Sequence, residues 1–313
     1  MRSPQRTFKD YLRLALGGIF IGSADVVPGV SGGTMAFILG IYDELIDSIR
    51  AAVPFLKHLL SLRWRQAFAV FPWRFLLAVG LGIALAILSL ARFLDWALAE
   101  HPVYIFSLFF GLILASLYVV RKRIKSWSLI NLAALALAAV GAYALVGLTP
   151  ANTTEDLWFV FLSGALAICA MILPGISGAF ILVLLGKYKF ILAALLILDI
   201  PVILTFIFGA LIGIIAFSNV LRWLLDHHHD LTVAVLLGFM LGALRKIWPW
   251  KLYEEISESF IRETNILPAG LSLEVLAAIG LMALGIGLVF AIEIYAARQI
   301  SSAQPHNLSL GEE

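Results

Sequence analysis

The stretch that decides the fold is PGVSGGTMAFILGIY at residues 28–42, because it recurs as PGISGAFILVLLGKY at residues 174–188. The shared residues keep one constant spacing of 146 positions: Pro28, Gly29, Ser31, Gly32, Leu39, Gly40 and Tyr42 recur as Pro174, Gly175, Ser177, Gly178, Leu185, Gly186 and Tyr188. In each copy Pro-Gly interrupts an apolar segment, since proline removes a backbone donor and glycine permits positive φ. Broken apolar helices at matching places in two halves of a chain indicate a transport site within a membrane.

The composition predicts a membrane protein. Of the 313 residues, 62% are hydrophobic and 13% are charged, whereas soluble domains carry about 45–50% apolar and about 25% charged residues. This length and composition fit a single polytopic membrane domain over residues 1–313. The net charge of +2 is too small to indicate a nucleic-acid partner, and the single cysteine, Cys169, excludes a disulfide within the chain.

Two kinds of apolar segment follow along the chain. Segments long enough to cross a bilayer, roughly 17–25 residues, lie at 75–98, 102–120, 128–148, 202–224 and 271–296, and a shorter one lies at 231–244. Regions 8–50 and 157–200 instead hold two apolar arms around the Pro-Gly break. Each arm of about 16 residues is about 24 Å long at 1.5 Å per residue. Each region is therefore predicted to be a re-entrant helical hairpin, with two short or tilted spans as the alternative.

The sequence thus predicts an all-α polytopic membrane protein with an inverted-topology repeat. Repeat one covers about 8–120 and repeat two about 157–245, with a linking span at 128–148, a final span at 271–296 and a disordered tail at 301–313. Three spans separate the hairpins, and each hairpin changes sides an even number of times. The second copy is then upside down relative to the first, as in many secondary transporters.

The distribution of positive charge predicts the orientation. With the N-terminus in the cytoplasm, most Lys and Arg residues fall in cytoplasmic segments, as the positive-inside rule requires. Both termini are therefore expected in the cytoplasm. The longest external segment, 245–270, is expected to form an amphipathic surface helix on account of its glutamates, Glu254, Glu255, Glu258 and Glu263.

The restart of each broken helix is the candidate binding site. Ser31 and Ser177 are expected to cap the second arms, and a helix start offers unpaired N–H groups and a positive dipole end to an anion. Two inverted starts would converge on one phosphate near the midplane. The predicted substrate-binding residues of the motif are Ser31, Gly32, Gly33, Thr34, Ser177 and Gly178. Alternatively, the motif serves only for a tight turn and close helix contacts, for which small residues are common in membranes.

Charged residues near the two motifs complete the predicted site. Asp25 lies in an apolar arm, where a carboxylate indicates function, here binding of a coupling proton or cation; a helix cap at a watery mouth is the alternative. Arg92 and Lys187 are predicted to attract the phosphate, and snorkelling to the interface is the alternative for both. The run HHH at 227–229 cannot converge on one ion from a helix. No metal, cofactor or enzymatic chemistry is therefore expected, since catalytic and nucleotide motifs are also missing from the sequence.

Three stretches carry a resemblance to one bacterial membrane family: GSADVVPGVSGGT at 22–34, LGIY at 39–42 and LPGISG at 173–178. The family that the chain resembles, over about residues 8–298, is the PopT-type undecaprenyl-phosphate translocases. The resemblance implies return of undecaprenyl phosphate from the outer to the inner leaflet of the bacterial cytoplasmic (inner) membrane, for reuse in peptidoglycan and other envelope polymers. Ala179 stands opposite Gly33 and Phe180 opposite Thr34, so the two hairpins differ.

Together with the paired motifs, the resemblance implies a lipid flippase for polyprenyl phosphate, and a proton or cation gradient could drive it. The tail would stay in lipid while the headgroup crosses a polar cavity, because only the headgroup is costly to bury in hydrocarbon. A secondary transporter of a small soluble anion would use the same helix starts in a cavity closed to lipid. A third alternative is a membrane scaffold protein in which the motifs only pack.

Overall fold

The computed structural model describes residues 6–26, 31–148, 153–257 and 260–302. Within these ranges the chain is almost entirely helical, which confirms the predicted all-α polytopic class. In chain order the helices are α1 (Phe8–Val26), α2 (Gly32–Ile38), α3 (Tyr42–Arg50), α4 (Ala52–Leu60), α5 (Trp64–Val70), α6 (Trp73–Glu100), α7 (Pro102–Arg121), α8 (Leu129–Leu145), α9 (Leu157–Ile172), α10 (Gly178–Leu184), α11 (Tyr188–Ile197), α12 (Ile200–His227), α13 (His229–Ala243) and α14 (Leu273–Ser302). Strands β1 (Lys251–Ser257) and β2 (Phe260–Asn265) lie between α13 and α14.

Every segment predicted to cross the membrane forms a helix. The predicted spans correspond, in order, to α6, α7, α8, α12 and α14, and the shorter segment corresponds to α13. Helices α7 and α12 and the first 19 residues of α14 are long and apolar enough to cross a bilayer. Two further pairs are bent at a short break, α5–α6 by 60° and α10–α11 by 107°. The predicted tail lies outside the described residues from position 303 onward.

Small residues let four pairs of helices pack closely and in parallel. Gly18 of α1 lies against the backbone of Val79 in α6, and Gly22 lies against Ile83, so a step of four residues along α1 matches a step of four along α6. In three other helix pairs the numbers of the contacting residues also differ by a constant, so these helices are parallel as well. Their contacts are Gly209–Phe161 and Gly213–Ala165 between α12 and α9, Gly111–Met282 and Lys122–Glu293 between α7 and α14, and Gly238–Leu135 and Gly242–Ala139 between α13 and α8. Glycine at such contacts removes the side chain that would hold two backbones apart.

Ion pairs gather around α3 on one face of the molecule, which we name the α3 face. Three arginines bind three acidic residues of α3. They lie just before α1, just after α7 and in the last turns of α12. The pairs are Arg6–Glu44 at 2.5 Å, Arg123–Asp43 at 3.5 Å and Arg222–Asp47 at 3.4 Å. Because α1 and α6 are parallel, the chain from α2 to α5 returns to the face on which α1 starts.

The segment expected to form an amphipathic surface helix forms a β-hairpin instead. β1 and β2 pair antiparallel, with Lys251 opposite Asn265 and Tyr253 opposite Glu263. The expectation was wrong because it weighed the glutamates and not the Tyr, Ile, Phe and Thr residues spread over both strands, which favour extended backbone. This β-hairpin follows the end of α13, and α13 starts beside the α7–α8 turn through Asp230, which accepts from Ser126 N. We name the side on which it lies the β-hairpin face.

The centre of the molecule lies where α2 packs against α1, α7 and α9. In α2, residues Gly32 to Phe37 are all buried, and Met35, Ala36 and Phe37 belong to the main hydrophobic cluster. Of the residues of α10, the equivalent helix, Gly178 alone is buried. The two short helices of the repeated motif therefore differ in how deeply they lie in the protein.

Candidate functional site

The start of α2 lies directly on the break of the second hairpin. The hydroxyl of Thr34 accepts a hydrogen bond from Gly175 N at 2.8 Å, and the hydroxyl of Ser31 donates to Leu173 O at 3.3 Å. The bond to Gly175 N satisfies a backbone group that the break leaves without a backbone partner inside the molecule, where an unpaired polar group is costly. The first hairpin therefore completes the backbone hydrogen bonding of the second.

The two second arms begin and end alike. Ser31 and Ser177 hold the N-cap positions with extended backbone, but neither side chain makes a capping hydrogen bond. The capping prediction was wrong for Ser31 because its hydroxyl donates to the second break instead. Gly40 (φ +70°) and Gly186 (φ +65°) end the two short helices in the left-handed region, which glycine adopts without strain. The Pro-Gly pair of the first break, within 27–30, lies outside the described residues.

The carboxylate of Asp25 lies at the N-terminus of α2. Its Oδ1 accepts a hydrogen bond from Gly32 N at 2.8 Å, and a Cβ placed on Gly32 would lie 2.6 Å from both carboxylate oxygens. An amide that was predicted to bind phosphate therefore already binds a carboxylate of its own hairpin. At the equivalent position of the second hairpin Met171 replaces the aspartate, so no carboxylate stands there.

A cavity of about 250 Å³ lies between the two broken regions and α12. Asp25 and Ser31 line it from the first hairpin, while Ser177 and Gly178 line it from the start of α10. Apolar residues of α9 and α12 complete its wall. Four of the residues singled out in the sequence thus converge on one space, two from each hairpin.

The cavity reaches the surface of the protein. Its lining includes Met171, which is 39% exposed, and Ala179, which is also exposed. Outward positions elsewhere on α9 are apolar and exposed as well, including Leu162 and Leu166. In a chain that spans a membrane, such an exposed apolar surface contacts lipid. A lateral opening toward lipid is the feature that separates a lipid transporter from a transporter of soluble anions.

Gly33 and Thr34 are not among the residues that line the cavity. A Cβ on Gly33 would lie 2.6 Å from Ile172 O, so only glycine permits this approach of the two hairpins. Thr34 is fully buried and bonded to Gly175. Gly33 and Thr34 therefore make contacts between the two hairpins, as expected from the alternative in which the motif serves close helix contacts.

Lys187 is not among the residues that line the cavity. Lys187 is 2% exposed, and its Nζ donates to Thr153 O at 3.2 Å and lies 5.2 Å from the centre of the Phe190 ring. It therefore joins the far end of α10 to the chain that leads into α9. Arg92 lies within α6, but its side chain is outside the described residues.

Comparisons with known proteins identify the family. Residues 21–264 match the family model described as VCA0040-like: undecaprenyl phosphate translocase-like. This chain belongs to that family. A polyprenyl-phosphate transporter of Vibrio cholerae is 45% identical over 243 residues, which cover 77% of this chain and 79% of the relative. A polyprenyl-phosphate transporter of Staphylococcus aureus is 31% identical over 252 residues, covering 75% of this chain and 85% of the relative. No solved structure matches the chain.

The names of these relatives bear on the class of protein, since both are named as transporters and not as enzymes. In the described part of this translocase-like chain, no group of three or more His, Cys, Asp or Glu is placed to hold a metal ion. The polar groups of the cavity are instead hydroxyls, backbone amides and one carboxylate, which suit hydrogen bonding to an anion and binding of a proton or cation.

Sequence analysis missed a charged cluster on the β-hairpin face of this translocase-like protein. Lys246, just after α13, and Lys251 of β1 both bind the carboxylate of Glu263, at 2.9 and 2.8 Å. Burial opposes ionisation of Glu263, but the two lysines outweigh it and lower the pKa of this carboxyl. Burial also lowers the pKa of Lys251, although Glu263 acts against that shift. The signal that could have revealed the cluster is the strand pattern of 251–265, which brings Lys251 and Glu263 together.

Proposed function

We propose that this protein is a flippase that returns polyprenyl phosphate, in particular the carrier undecaprenyl phosphate, from the outer to the inner leaflet of the bacterial cytoplasmic membrane for envelope polymer synthesis. The observation that carries this proposal is the cavity, which presents polar groups from both broken helices at a surface that contacts lipid. The family and the names of both relatives support the substrate class.

The cavity suits a lipid with one charged end. A phosphate needs polar partners, which Ser31, Ser177 and the backbone at Gly178 offer, whereas the polyprenyl tail gains nothing by leaving hydrocarbon. The headgroup would therefore cross inside the cavity while the tail remains in the bilayer. A small soluble anion would need walls that exclude lipid, so the opening at this surface favours the lipid substrate over this alternative. Gly33 and Thr34 would support the site by holding the hairpins together, and the roles of Arg92 and Lys187 stay predictions.

Asp25 offers a means of coupling transport to an ion gradient. Its carboxylate borders the same cavity as Ser177 and holds Gly32 N. A phosphate that entered would meet this negative charge at close range, which is unfavourable where water is scarce. A proton or cation bound to Asp25 removes the repulsion, so ion and substrate would bind together. Their release on the other side would then also be coupled.

The proposed architecture is the inverted repeat of residues 8–120 and 157–245. The parallel pairs α1–α6 and α9–α12 support it, because equivalent glycines, Gly18 and Gly164, Gly82 and Gly209, make the contacts in both. The linking span α8 follows repeat one but packs on α13 of repeat two. The final span α14 follows repeat two but packs on α7 of repeat one. Arg222 puts the end of α12 on the α3 face, so the parallel α9 starts on the opposite face from α1.

The proposed orientation places the α3 face in the cytoplasm, with both termini. This face carries arginines from three separate parts of the chain, Arg6, Arg123 and Arg222, as the positive-inside rule requires of cytoplasmic segments. Lys122 and Glu293, paired at 2.9 Å, lie near the same face and bring the end of α14 to it. The β-hairpin face is then external, and the carrier would enter from that side.

Purified protein in liposomes tests the proposed function. A fluorescent short-chain polyprenyl phosphate is supplied in one leaflet, and its movement is followed by its loss of accessibility to a membrane-impermeant quencher. Ser177→Leu fills the cavity and is expected to slow the movement at least tenfold, whereas the matched control Leu162→Ile changes only a lipid-contacting residue of α9 and leaves it unchanged. Movement no faster than in empty vesicles, or equally fast uptake of inorganic phosphate into the lumen, would contradict the proposal.

A further inference from the structure

We infer that Lys246 and Lys251 form a second anion site, on the β-hairpin face, which receives the phosphate monoester headgroup of the lipid before it reaches the cavity, and that Glu263 occupies this site while it is empty. The inference rests on the proposed function, because it assigns the step that precedes entry into the cavity. It concerns residues that lie apart from the paired motif.

The arrangement of charge is that of an anion site with a resident carboxylate. Lys246 Nζ lies 2.9 Å from Glu263 Oε1, and Lys251 Nζ lies 2.8 Å from Glu263 Oε2. Two ammonium groups thus share one carboxylate and keep one unit of positive charge. A phosphate monoester carries about −1.5 to −2 charges near neutral pH, so it matches the two lysines more closely than Glu263 does.

The burial of the lysines distinguishes this cluster from ordinary surface charges. The side chain of Lys251 is 2% exposed, and its Nζ also donates to Lys246 O at 2.6 Å. The same Nζ lies 4.5 Å from the centre of the Phe106 ring of α7, and the side chain of Lys246 is 19% exposed. A charge held against protein walls interacts more strongly with an anion than one in bulk water. Snorkelling, in which the ammonium reaches into water, does not describe Lys251.

The cluster adjoins the start of the second hairpin. Lys246 Nζ lies 5.3 Å from the centre of the ring of Phe180, in the first turn of α10. Phe180 follows directly on Gly178 and Ala179, which line the cavity. Lys246 therefore contacts the side chain that directly follows the cavity lining along α10. Lys246 is the residue placed to pass the headgroup on.

The β-hairpin supplies the element that can exchange. Glu263 is on β2, and its strand continues to Asn265, whose side-chain amide donates to Arg245 O at 2.8 Å. The hairpin is thus attached to the end of α13 by local hydrogen bonds that do not depend on Glu263. A phosphate can replace the carboxylate between the lysines while the rest of the β-hairpin keeps its place.

Initial rates of flipping, measured in liposomes against the concentration of a short-chain polyprenyl phosphate supplied on the β-hairpin face, test the inference. Lys246→Gln is expected to raise KM about tenfold with kcat within twofold, on the order of one lost charge-assisted hydrogen bond. Glu263→Gln removes the competing carboxylate and is expected to lower KM about threefold. The matched control Lys189→Gln neutralises an exposed lysine of α11 and leaves KM unchanged.

The outcomes separate the two proposals. An unchanged KM in Lys246→Gln, in wild-type-like protein that flips lipid, overturns the anion site and leaves the flippase intact. A higher KM in Glu263→Gln also overturns it, because Glu263 would then only hold the β-hairpin in place. If the wild type flips no lipid, the proposed function fails first.

A binding measurement does not depend on transport and identifies the source of the phosphate. Acylation of the Lys246 amine, followed by mass spectrometry, is expected to slow at least threefold with short-chain polyprenyl phosphate and to stay unchanged with the matching polyprenol. Equal protection by inorganic phosphate at the same concentration would assign the site to free phosphate and overturn the lipid headgroup. Absence of protection by the lipid phosphate would also overturn the inference.

Discussion

The two hairpins share a motif but lie differently in the molecule. In the first, Gly32 to Phe37 of α2 are buried, and α3 is held by arginines from three other parts of the chain. In the second, α10 buries Gly178 alone, and α11 exposes Leu192 and Leu195. The first hairpin is therefore packed within the protein, whereas the second lines the cavity with a helix that is largely at the surface. Equal motifs do not require equal roles.

This difference follows from substitutions at equivalent positions of the two copies. Three pairs differ in charge or size: Asp25 and Met171, Gly33 and Ala179, Thr34 and Phe180. The first copy uses small and polar residues to reach the backbone of the second break. The second copy places an exposed Ala179 and a large ring at the same two steps of its helix. The first copy thus completes the backbone hydrogen bonding of the second, while Ala179 of the second copy lines the cavity where it reaches the surface.

The largest expected effect comes from exchanging small residues between the copies. Gly33→Val places side-chain atoms where Ile172 O already lies, so we expect a loss of about 3 kcal/mol or more of stability, beyond ordinary overpacking. Ala179→Val, its counterpart, adds the same kind of atoms at an exposed position and should change stability by about 0.5 kcal/mol or less. Thermal unfolding in detergent measures both. Equal losses in the two variants would show that the hairpins are packed alike.

Sequence analysis predicted what depends on local chemistry. The helices α6, α7, α8, α12 and α14 begin and end within a few residues of the predicted spans, because apolar length alone defines them. The break before α10 was predicted because Pro174 and Gly175 cannot continue a helix, and Gly175 indeed has φ +90°.

Contacts between distant parts of the chain could not be predicted in the same way. Thr34 and Gly175 are 141 residues apart, and nothing local shows that one hydroxyl serves the other amide. The sequence predicts a function for the Asp25 carboxylate, but the hydrogen bond that it accepts from Gly32 N depends on how the break turns back. The cluster around Glu263 was missed because the glutamates of 251–265 suggested a helix, and only strand pairing brings the charges together.

The second expected effect concerns the carboxylate that distinguishes the first hairpin. Asp25→Asn keeps an oxygen that accepts from Gly32 N but can no longer bind or release a proton. We expect the hairpin to fold normally and gradient-driven accumulation to fall at least tenfold, while passive equilibration between leaflets continues. Flipping assays with and without an imposed ion gradient measure this. Undiminished accumulation in Asp25→Asn would remove Asp25 from the coupling mechanism.

The smallest effect that we expect is the loss of β-hairpin docking when Glu263 is protonated. Three arginines hold α3, whereas the lysine that contacts α10, Lys246, is bound by Glu263 of the β-hairpin. The pKa of Glu263 is lowered below its ordinary 4.5, because the lysines outweigh the effect of burial. Its ionised form therefore stabilises the docked β-hairpin at neutral pH. That contribution, about 1 kcal/mol for a partly exposed pair, is lost as the pH falls through the lowered pKa.

Fluorine NMR of fluorotryptophan at Trp248 can follow this loss, because the Trp248 indole donates to Ile266 O beside β2. We expect the signal to shift below pH 4.5 in the wild type and in Glu254→Gln, whose exposed side chain lies on the same β-hairpin. In Glu263→Gln the shift should be absent, since the titrating group is gone. A shift that persists in Glu263→Gln would mean that another group titrates at the β-hairpin. The difference between α3, held by three arginines, and α10, contacted by Lys246, would then need another explanation.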